Sequence, residues 1–304
     1  GLHPGIEIDI LCEKRNQEVF STQSCCHQVY CYDENFLSAC KVLNRPYDCI
    51  FDTEQWHYLS AVLVYCSKAR IRVGFGTRKR RQKLYDLAVD YDWHVSELKN
   101  FFHLFSAIFL VGRPSTLNFD LPGPLMKWAA EEVSEKSVSL CLGGSIALRR
   151  FSFEQLREVV KGVLEKGYQV ALLGGKDAAA MGKTLMSEFN DARIKDFIDK
   201  ISLPQSAAVI QRTKRFIGTD SGLMHLACAV GTPVIAVFGP GDVRRWGPVG
   251  EGHRVIRRDL ECSPCTQFGY TVPTCQSKCS CVNDIRTEEI LSALDRSLRE
   301  HSNV

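Results

Sequence analysis

Between residues 137 and 238 the sequence alternates short apolar runs with amphipathic stretches, and this rhythm constrains the fold more than any other feature. Residues 137–142 (SVSLCL), 169–173 (QVALL), 215–218 (RFIG) and 233–238 (PVIAVF) have the length of strands. Their apolar runs are those of strands buried on both faces. The segments between them have helical spacing. Ser152 and Gln155 form a capping-box pair that opens a helix running to Glu165, and Gly167 closes it. Residues 178–188 and 223–230 are further helices, the second closed by Gly231. Strands alternating with helices of this length predict a parallel sheet covered on both faces.

Three of these strands end in a small or polar knot: Gly143-Gly144-Ser145, Gly174-Gly175-Lys176 and Thr219-Asp220-Ser221-Gly222. Ligands of open α/β sheets bind outside the carboxyl ends of the strands, so the three knots are expected to line one rim. The last knot says most. Asp220 or Ser221 falls at the start of the helix 223–230, where backbone N–H groups are unsatisfied and the helix dipole is positive. A residue there caps the helix or receives a phosphate. Gly222 permits close approach to the backbone, and His225 lies one turn in. A ligand site is the favoured reading; simple capping by Asp220 is the alternative.

The first part of the chain shows the rhythm less clearly. Residues 6–12 (IEIDILC), 47–51 (YDCIF) and 70–74 (RIRVG) read as strands and 54–66 as a helix. A chain of 304 residues is too long for one ordinary core. Pro122-Gly123-Pro124 is the natural break, which gives expected domains of 1–124 and 125–285. A terminal helix within 286–304 is expected to pack back on the first domain. No run of 18 apolar residues is present to cross a membrane, and no signal-peptide pattern opens the sequence. A net charge of +3 argues against general nucleic-acid binding. Residues 70–83 (RIRVGFGTRKRRQK) nevertheless contain no acid. Arg78, Arg80 and Arg81 in that run suit an anionic partner, or form a solvated face.

Of the 14 cysteines, nine are scattered, and Cys49, Cys66, Cys141 and Cys228 sit in apolar runs as reduced thiols of a core would. The other five, Cys262, Cys265, Cys275, Cys279 and Cys281, crowd together. A C-x2-C pair followed by a second cluster suits a structural zinc held by Cys262, Cys265, Cys275 and Cys281, with free thiols and disulfides as alternatives.

The stretch GTDSGLMHLACAVGTPVIAVFGPGDVRRWGP resembles the signature of bacterial glycosyltransferase family nine, the lipopolysaccharide heptosyltransferases and their relatives. Members read D-[ST]-G-x-M-H-L-A-A-A-x-G-x-P-V-x-A-L-F-G-P-T, from which this chain departs at Cys228 and Gly241. Residues 142–151 (LGGSIALRRF) resemble P-G-[AG]-S-x-x-x-K-R-W, and 172–177 (LLGGKD) resemble L-L-G-G-x-x-[DE]. The resemblance implies a glycosyltransferase-B fold of two Rossmann-like domains facing a cleft, with the acceptor on the first and a nucleotide-sugar on the second. It implies inverting transfer of a sugar, heptose from ADP-heptose in the main reading, without a required metal.

By motif position, Ser145, Arg149, Gly175, Lys176, Thr219, Asp220, Ser221, Gly222, Leu223 and His225 resemble the donor-binding set. The acceptor would be an anionic glycolipid touched by Arg78, Arg80 and Arg81, which places the protein in the cytoplasm at the inner membrane surface of a Gram-negative bacterium. Members begin with a strand, a Gly-Asp turn whose Asp resembles the general base, and a helix. Gly1 to Cys12 resembles the segment after that helix, so a unit on the order of 25 to 30 residues is expected ahead of Gly1. Asp52 is the weak substitute for the base. A different donor or acceptor, or nucleotide-sugar binding without transfer, are the alternatives.

Overall fold

The computed structural model describes residues 5–34, 36–109, 117–144, 146–267, 270–271, 275 and 280–300. The chain divides into two compact units, residues 1–114 and 115–304, a division that falls ahead of the Pro122–Pro124 break.

The second unit carries the candidate site. In order it contains α6 (Gly123–Glu132), β6 (Ser137–Cys141), α7 (Phe153–Glu165), β7 (Gln169–Leu173), α8 (Ala179–Phe189), β8 (Ile194–Asp196), α9 (Leu203–Arg212), β9 (Arg215–Thr219), α10 (Gly222–Ala229), β10 (Val234–Phe238), α11 (Val243–Trp246), β11 (Arg254–Arg257), α12 (Ser280–Asn283) and α13 (Thr287–Glu300). These are labelled in chain order after β1–β5 and α1–α5 of the first unit. These six strands form one parallel sheet in the order β11-β10-β9-β6-β7-β8, and Thr266–Gln267 and Tyr270–Thr271 form a separate antiparallel pair. After β6 the chain moves outward through β7 and β8. It then returns to the other side of β6 with β9, so the switch point lies between β6 and β9.

Every residue of β6, β9 and β10 is buried, including Ser137, Ser139, Arg215 and Thr219. Two apolar layers sandwich the sheet. One joins Leu140, Leu156, Val160 and Leu294; the other joins Phe216, Met224, Val234 and Ile210. The predicted capping box is formed: Ser152 N–H donates to Gln155 Oε1 at 3.0 Å and Gln155 N–H donates to Ser152 Oγ at 3.2 Å. Gly167 (φ 75°) and Gly231 (φ 77°) adopt the left-handed conformation that ends a helix.

The helix α13 packs within the second unit. Ile290, Ala293 and Leu294 are buried in the layer that covers the second sheet, against α7 and β11. Arg215 on β9, itself buried, fixes it further by donating from Nε to Ser297 Oγ at 2.6 Å. The apolar stripe of this helix matches the groove beside α7 in its own unit, and that decides its position.

The first unit contains β1 (Asp9–Cys12), α1 (Lys14–Ser21), β2 (Gln28–Cys31), α2 (Phe36–Leu43), β3 (Cys49–Asp52), α3 (Tyr58–Tyr65), β4 (Ile71–Phe75), α4 (Lys79–Gln82), β5 (Leu87–Val89) and α5 (Glu97–Ser106). Its strands form two parallel groups, β1-β2 and β3-β4-β5. Its core is anchored by charge. Arg81 is fully buried, and its Nη2 lies 2.9 Å from Asp52 Oδ2. Arg81 also donates to the carbonyls of Phe75, His57 and Glu54. Tyr85 Oη donates to the same Asp52 oxygen at 2.5 Å. The Tyr85 ring lies flat over Gly74, where a Cβ would come within 2.2 Å of it.

Candidate functional site

The carboxyl ends of β7, β6 and β9 are neighbours on one rim, so their three knots lie together. Leu142 N–H donates to Leu173 O at 2.9 Å, which joins the first two knots. Gly144 N–H donates to Asp177 Oδ2 at 3.0 Å, and Arg150 clamps the same turn through Gly144 O (2.7 Å) and Asp177 Oδ2 (3.1 Å). A Cβ at Gly143 would press to 3.1 Å from Asp177 Oδ2. Ser145 lies outside the described residues. Gly175 and Lys176 are exposed at the end of β7.

The third knot hands β9 over to α10. Ser221, not Asp220, is the N-cap residue, and it makes no side-chain capping bond. The first intrahelical bonds come from Met224 and His225 N–H to Ser221 O. The Gly222 and Leu223 N–H groups therefore stand at the helix end without an intrahelical acceptor. Gly222 is exposed, with nothing within 4 Å of where a Cβ would sit. Thr219 is buried at the end of the strand. Simple capping by Asp220 is thus not what the knot does.

Asp220 turns to Arg149 instead, whose Nη1 lies 3.0 Å from Asp220 Oδ2. Asp220 is 5% exposed and the Arg149 side chain 15%. The pair is incomplete, because Asp220 Oδ2 and Arg149 Nε are buried without a well-directed hydrogen bond. Burial raises the Asp220 pKa above the ordinary carboxylate value, against the pull of the Arg149 charge. Burial also lowers the pKa of His225, and the Arg149 charge lowers it further, so the imidazole is neutral at pH 7. The His225 ring meets Trp246 edge-on, with centroids 6.3 Å apart.

Gly241 makes the Asp220 orientation possible. A Cβ at 241 would lie 2.2 Å from Asp220 Oδ2. The departure of this chain from the family motif at that position therefore has a steric consequence. Chemically, the rim offers two outward N–H groups on a positive helix end, one guanidinium and one neutral imidazole. Such a set neutralises and orients a phosphate-bearing group.

Sequence reasoning missed several parts of this arrangement. Arg149 and Arg150 are adjacent, yet one reaches Asp220 and the other Asp177. The acidic end of the LLGGKD motif was the available signal for the Asp177 clamp. Nothing in the sequence pointed to Trp246, and none of the contacts above ties Lys176 to Asp220.

Two expectations need correction. Arg81 was grouped with Arg78 and Arg80 as an acceptor contact, but it is buried in the ion pair with Asp52, because α4 turns it inward toward β3. Arg78 and Arg80 are exposed, and Arg78 stacks over Trp56 at 3.9 Å. Asp52 itself is no substitute base: it is 4% exposed and its oxygens are taken by Arg81, Tyr85 and the Glu54 N–H.

One of the clustered cysteines, Cys265, is tied to the rim. Cys265 and Thr266 N–H both donate to Pro240 O, just past β10. Burial raises the Cys265 thiol pKa most, and the nearby Cys275 and Cys262 raise it further. Cys281 is instead drawn into the apolar core behind Gly239. Among the described residues no group of three or more His, Cys, Asp or Glu is arranged to hold a metal, and Cys279 lies outside them.

The profile of glycosyltransferase family 9 (heptosyltransferase) matches residues 37–274. Over 158 residues the chain is 29% identical to lipopolysaccharide heptosyltransferase 2 of Escherichia coli K12, a match that covers 45% of each protein. It is 33% identical over 97 residues to lipopolysaccharide heptosyltransferase 3 of the same strain, covering 31% of this chain and 28% of that one. The chain thus spans less than half the length of the curated relatives it matches. Among solved structures, E. coli ADP-heptose lipopolysaccharide heptosyltransferase II superposes with a TM-score of 0.78 at 19% identity, covering 99% of this chain and 92% of that one. E. coli heptosyltransferase WaaC with ADP gives 0.73 at 19% identity, covering 97% and 91%. These likenesses show the fold, an α/β architecture of the glycosyltransferase-B type.

Proposed function

Because this chain belongs to glycosyltransferase family 9, we propose that it transfers a sugar from a nucleotide-sugar donor, whose diphosphate lies at the start of α10. The observation that carries this reading is the Arg149–Asp220 pair beside a helix N-terminus without a side-chain cap, with Arg149 Nε left without a hydrogen bond. The donor is ADP-heptose, by analogy with the relatives named above, and the acceptor is a core saccharide of lipopolysaccharide type.

In this reading Arg149 and the Gly222 and Leu223 N–H groups take the negative charge that grows on the departing diphosphate. The guanidinium presents a fork to two phosphate oxygens, which a lysine would meet as a point charge. Neutral His225 supplies a hydrogen bond without adding charge. Thr219 and Ser221 hold the turn, while Gly175 and Lys176 border the site from β7. Transfer inverts the sugar carbon and needs no divalent cation, since these groups supply the positive charge. The base that deprotonates the acceptor hydroxyl is not assigned to any described residue. Arg78 and Arg80 are the exposed cations for an anionic acceptor, and the protein works on the cytoplasmic face of the inner membrane.

Incubation with ADP-heptose and a core acceptor, with and without EDTA, tests the proposal. ADP release coupled to acceptor glycosylation, unaffected by EDTA, is expected. Saturable ADP-heptose binding with no ADP release would leave a nucleotide-sugar-binding protein without transfer. Absence of binding would overturn the reading.

A further inference from the structure

The helix α3 has the sequence YLSAVLVY, without one charged side chain. Its inner face is accounted for: Ala61 and Val64 are buried against the sheet with Tyr85. Its outer face is apolar as well. Leu59, Val62 and Tyr65 follow one another at three-residue spacing and are 54%, 45% and 52% exposed. A surface helix normally turns polar residues outward; one that is apolar on both sides is built to be covered twice.

The helix beside it is the reverse. The steps from β3 to β4 and from β4 to β5 run in the same direction across the sheet, so right-handed crossovers place α3 and α4 on the same face. They also touch, because Arg81 of α4 donates to the carbonyls of Glu54 and His57 at the start of α3. The rest of that segment is exposed and basic: Arg78, Lys79, Arg80 and Lys83. None of these four makes an ion pair among the described residues, and Arg78 lies over the indole of Trp56. An uncharged apolar stripe on the same face as unpaired cations and an aromatic ring is the pattern of a segment that lies in a bilayer interface.

We infer that this face of the first unit docks on an anionic lipid surface, with Leu59, Val62 and Tyr65 entering the headgroup boundary and Lys79 and Lys83 pairing with lipid phosphates. Charge complementarity selects this occupant. A second copy of the chain would bring the same cations against themselves, whereas an anionic bilayer satisfies the stripe and the cations together. The inference deepens the membrane-face part of the proposed function, but it rests on features of the first unit and is measured without donor or acceptor.

The test is co-sedimentation of the intact chain with vesicles of phosphatidylethanolamine and phosphatidylglycerol, against vesicles of phosphatidylcholine alone. Binding to the anionic vesicles that weakens with salt is expected. Each cation near such a surface contributes about a fivefold factor in partitioning. The double variant Lys79→Glu/Lys83→Glu should therefore lose more than tenfold. Val62→Asp should lose at least fivefold while its melting temperature and its ADP affinity, a property of the second unit, stay as in the wild type. Equal partitioning to both vesicle types, or no effect of Val62→Asp, would overturn the inference. So would a concentration-dependent dimer that Val62→Asp abolishes, which would assign the stripe to a second copy. Vesicle binding without any ADP binding would sink the proposed donor site and leave the docking face standing.

Discussion

Asp220 is a carboxylate held where its own burial disfavours its charge. Its folded-state pKa is raised, so the stability it permits is full below the ordinary carboxylate range and is lost as pH rises through the folded value. Asp220→Asn removes that loss and keeps an acceptor for Arg149. The variant should melt higher than the wild type at pH 7.5, with the gap closing as pH falls toward 4; a variant that melts lower at pH 7.5 would show that the ion pair outweighs burial. Arg81 and Arg80 make a second contrast. Removing one partner of the buried Arg81–Asp52 pair should cost about 3–5 kcal/mol in denaturant unfolding, whereas Arg80→Ala, an exposed change, should stay within about 0.5 kcal/mol. The four consecutive basic residues 78–81 look alike in the sequence, and only the approach of β3 and α3 tells which one faces inward. Arg149 and Arg150 were equally indistinguishable, since a short 3-10 turn at 147–149 decides which way each points.

Among the elements, those with strong periodicity and end signals were legible. The capping box of α7 and the glycine stops at 167 and 231 are local chemistry, and they form as expected. The elements β8, β11 and α9 were not identified from sequence, because two of them are short strands at the sheet edges with mixed polarity. The last helix was found, but its packing against α7 was not, since an amphipathic stripe shows that a helix docks and not where. Its docking has a measurable signature. Glu289 accepts from Arg258 at 2.9 Å, and that bond first, with help from Arg286, pushes its pKa down to about 2. The contribution is full above the ordinary Glu value of 4.5 and is lost as pH falls toward about 2. The stability difference between wild type and Glu289→Gln should close over that window, and a difference constant from pH 5 to 2.5 would show that the pair does not hold α13. In the first unit, Gly74→Ala should cost about 2–4 kcal/mol, because its Cβ must displace the Tyr85 ring from Asp52.

Taken as a whole, the molecule is a two-unit α/β protein whose second sheet places three strand ends side by side. That topology was readable because parallel strands with helical crossovers leave few arrangements, and the switch point beside β6 then locates the ligand rim. The use of the rim was readable only through motif resemblance. The steric link from Gly241 to Asp220, which needs three dimensions, was not. The central claim is that Arg149 and the start of α10 hold the donor diphosphate. Calorimetric titration of ADP into wild type, Arg149→Ala and Arg80→Ala at pH 7.5 tests it most directly. Loss of a charge-assisted pair to phosphate predicts affinity weakened by roughly tenfold or more in Arg149→Ala and unchanged in Arg80→Ala. Equal affinity in all three proteins would place the diphosphate elsewhere and contradict the account.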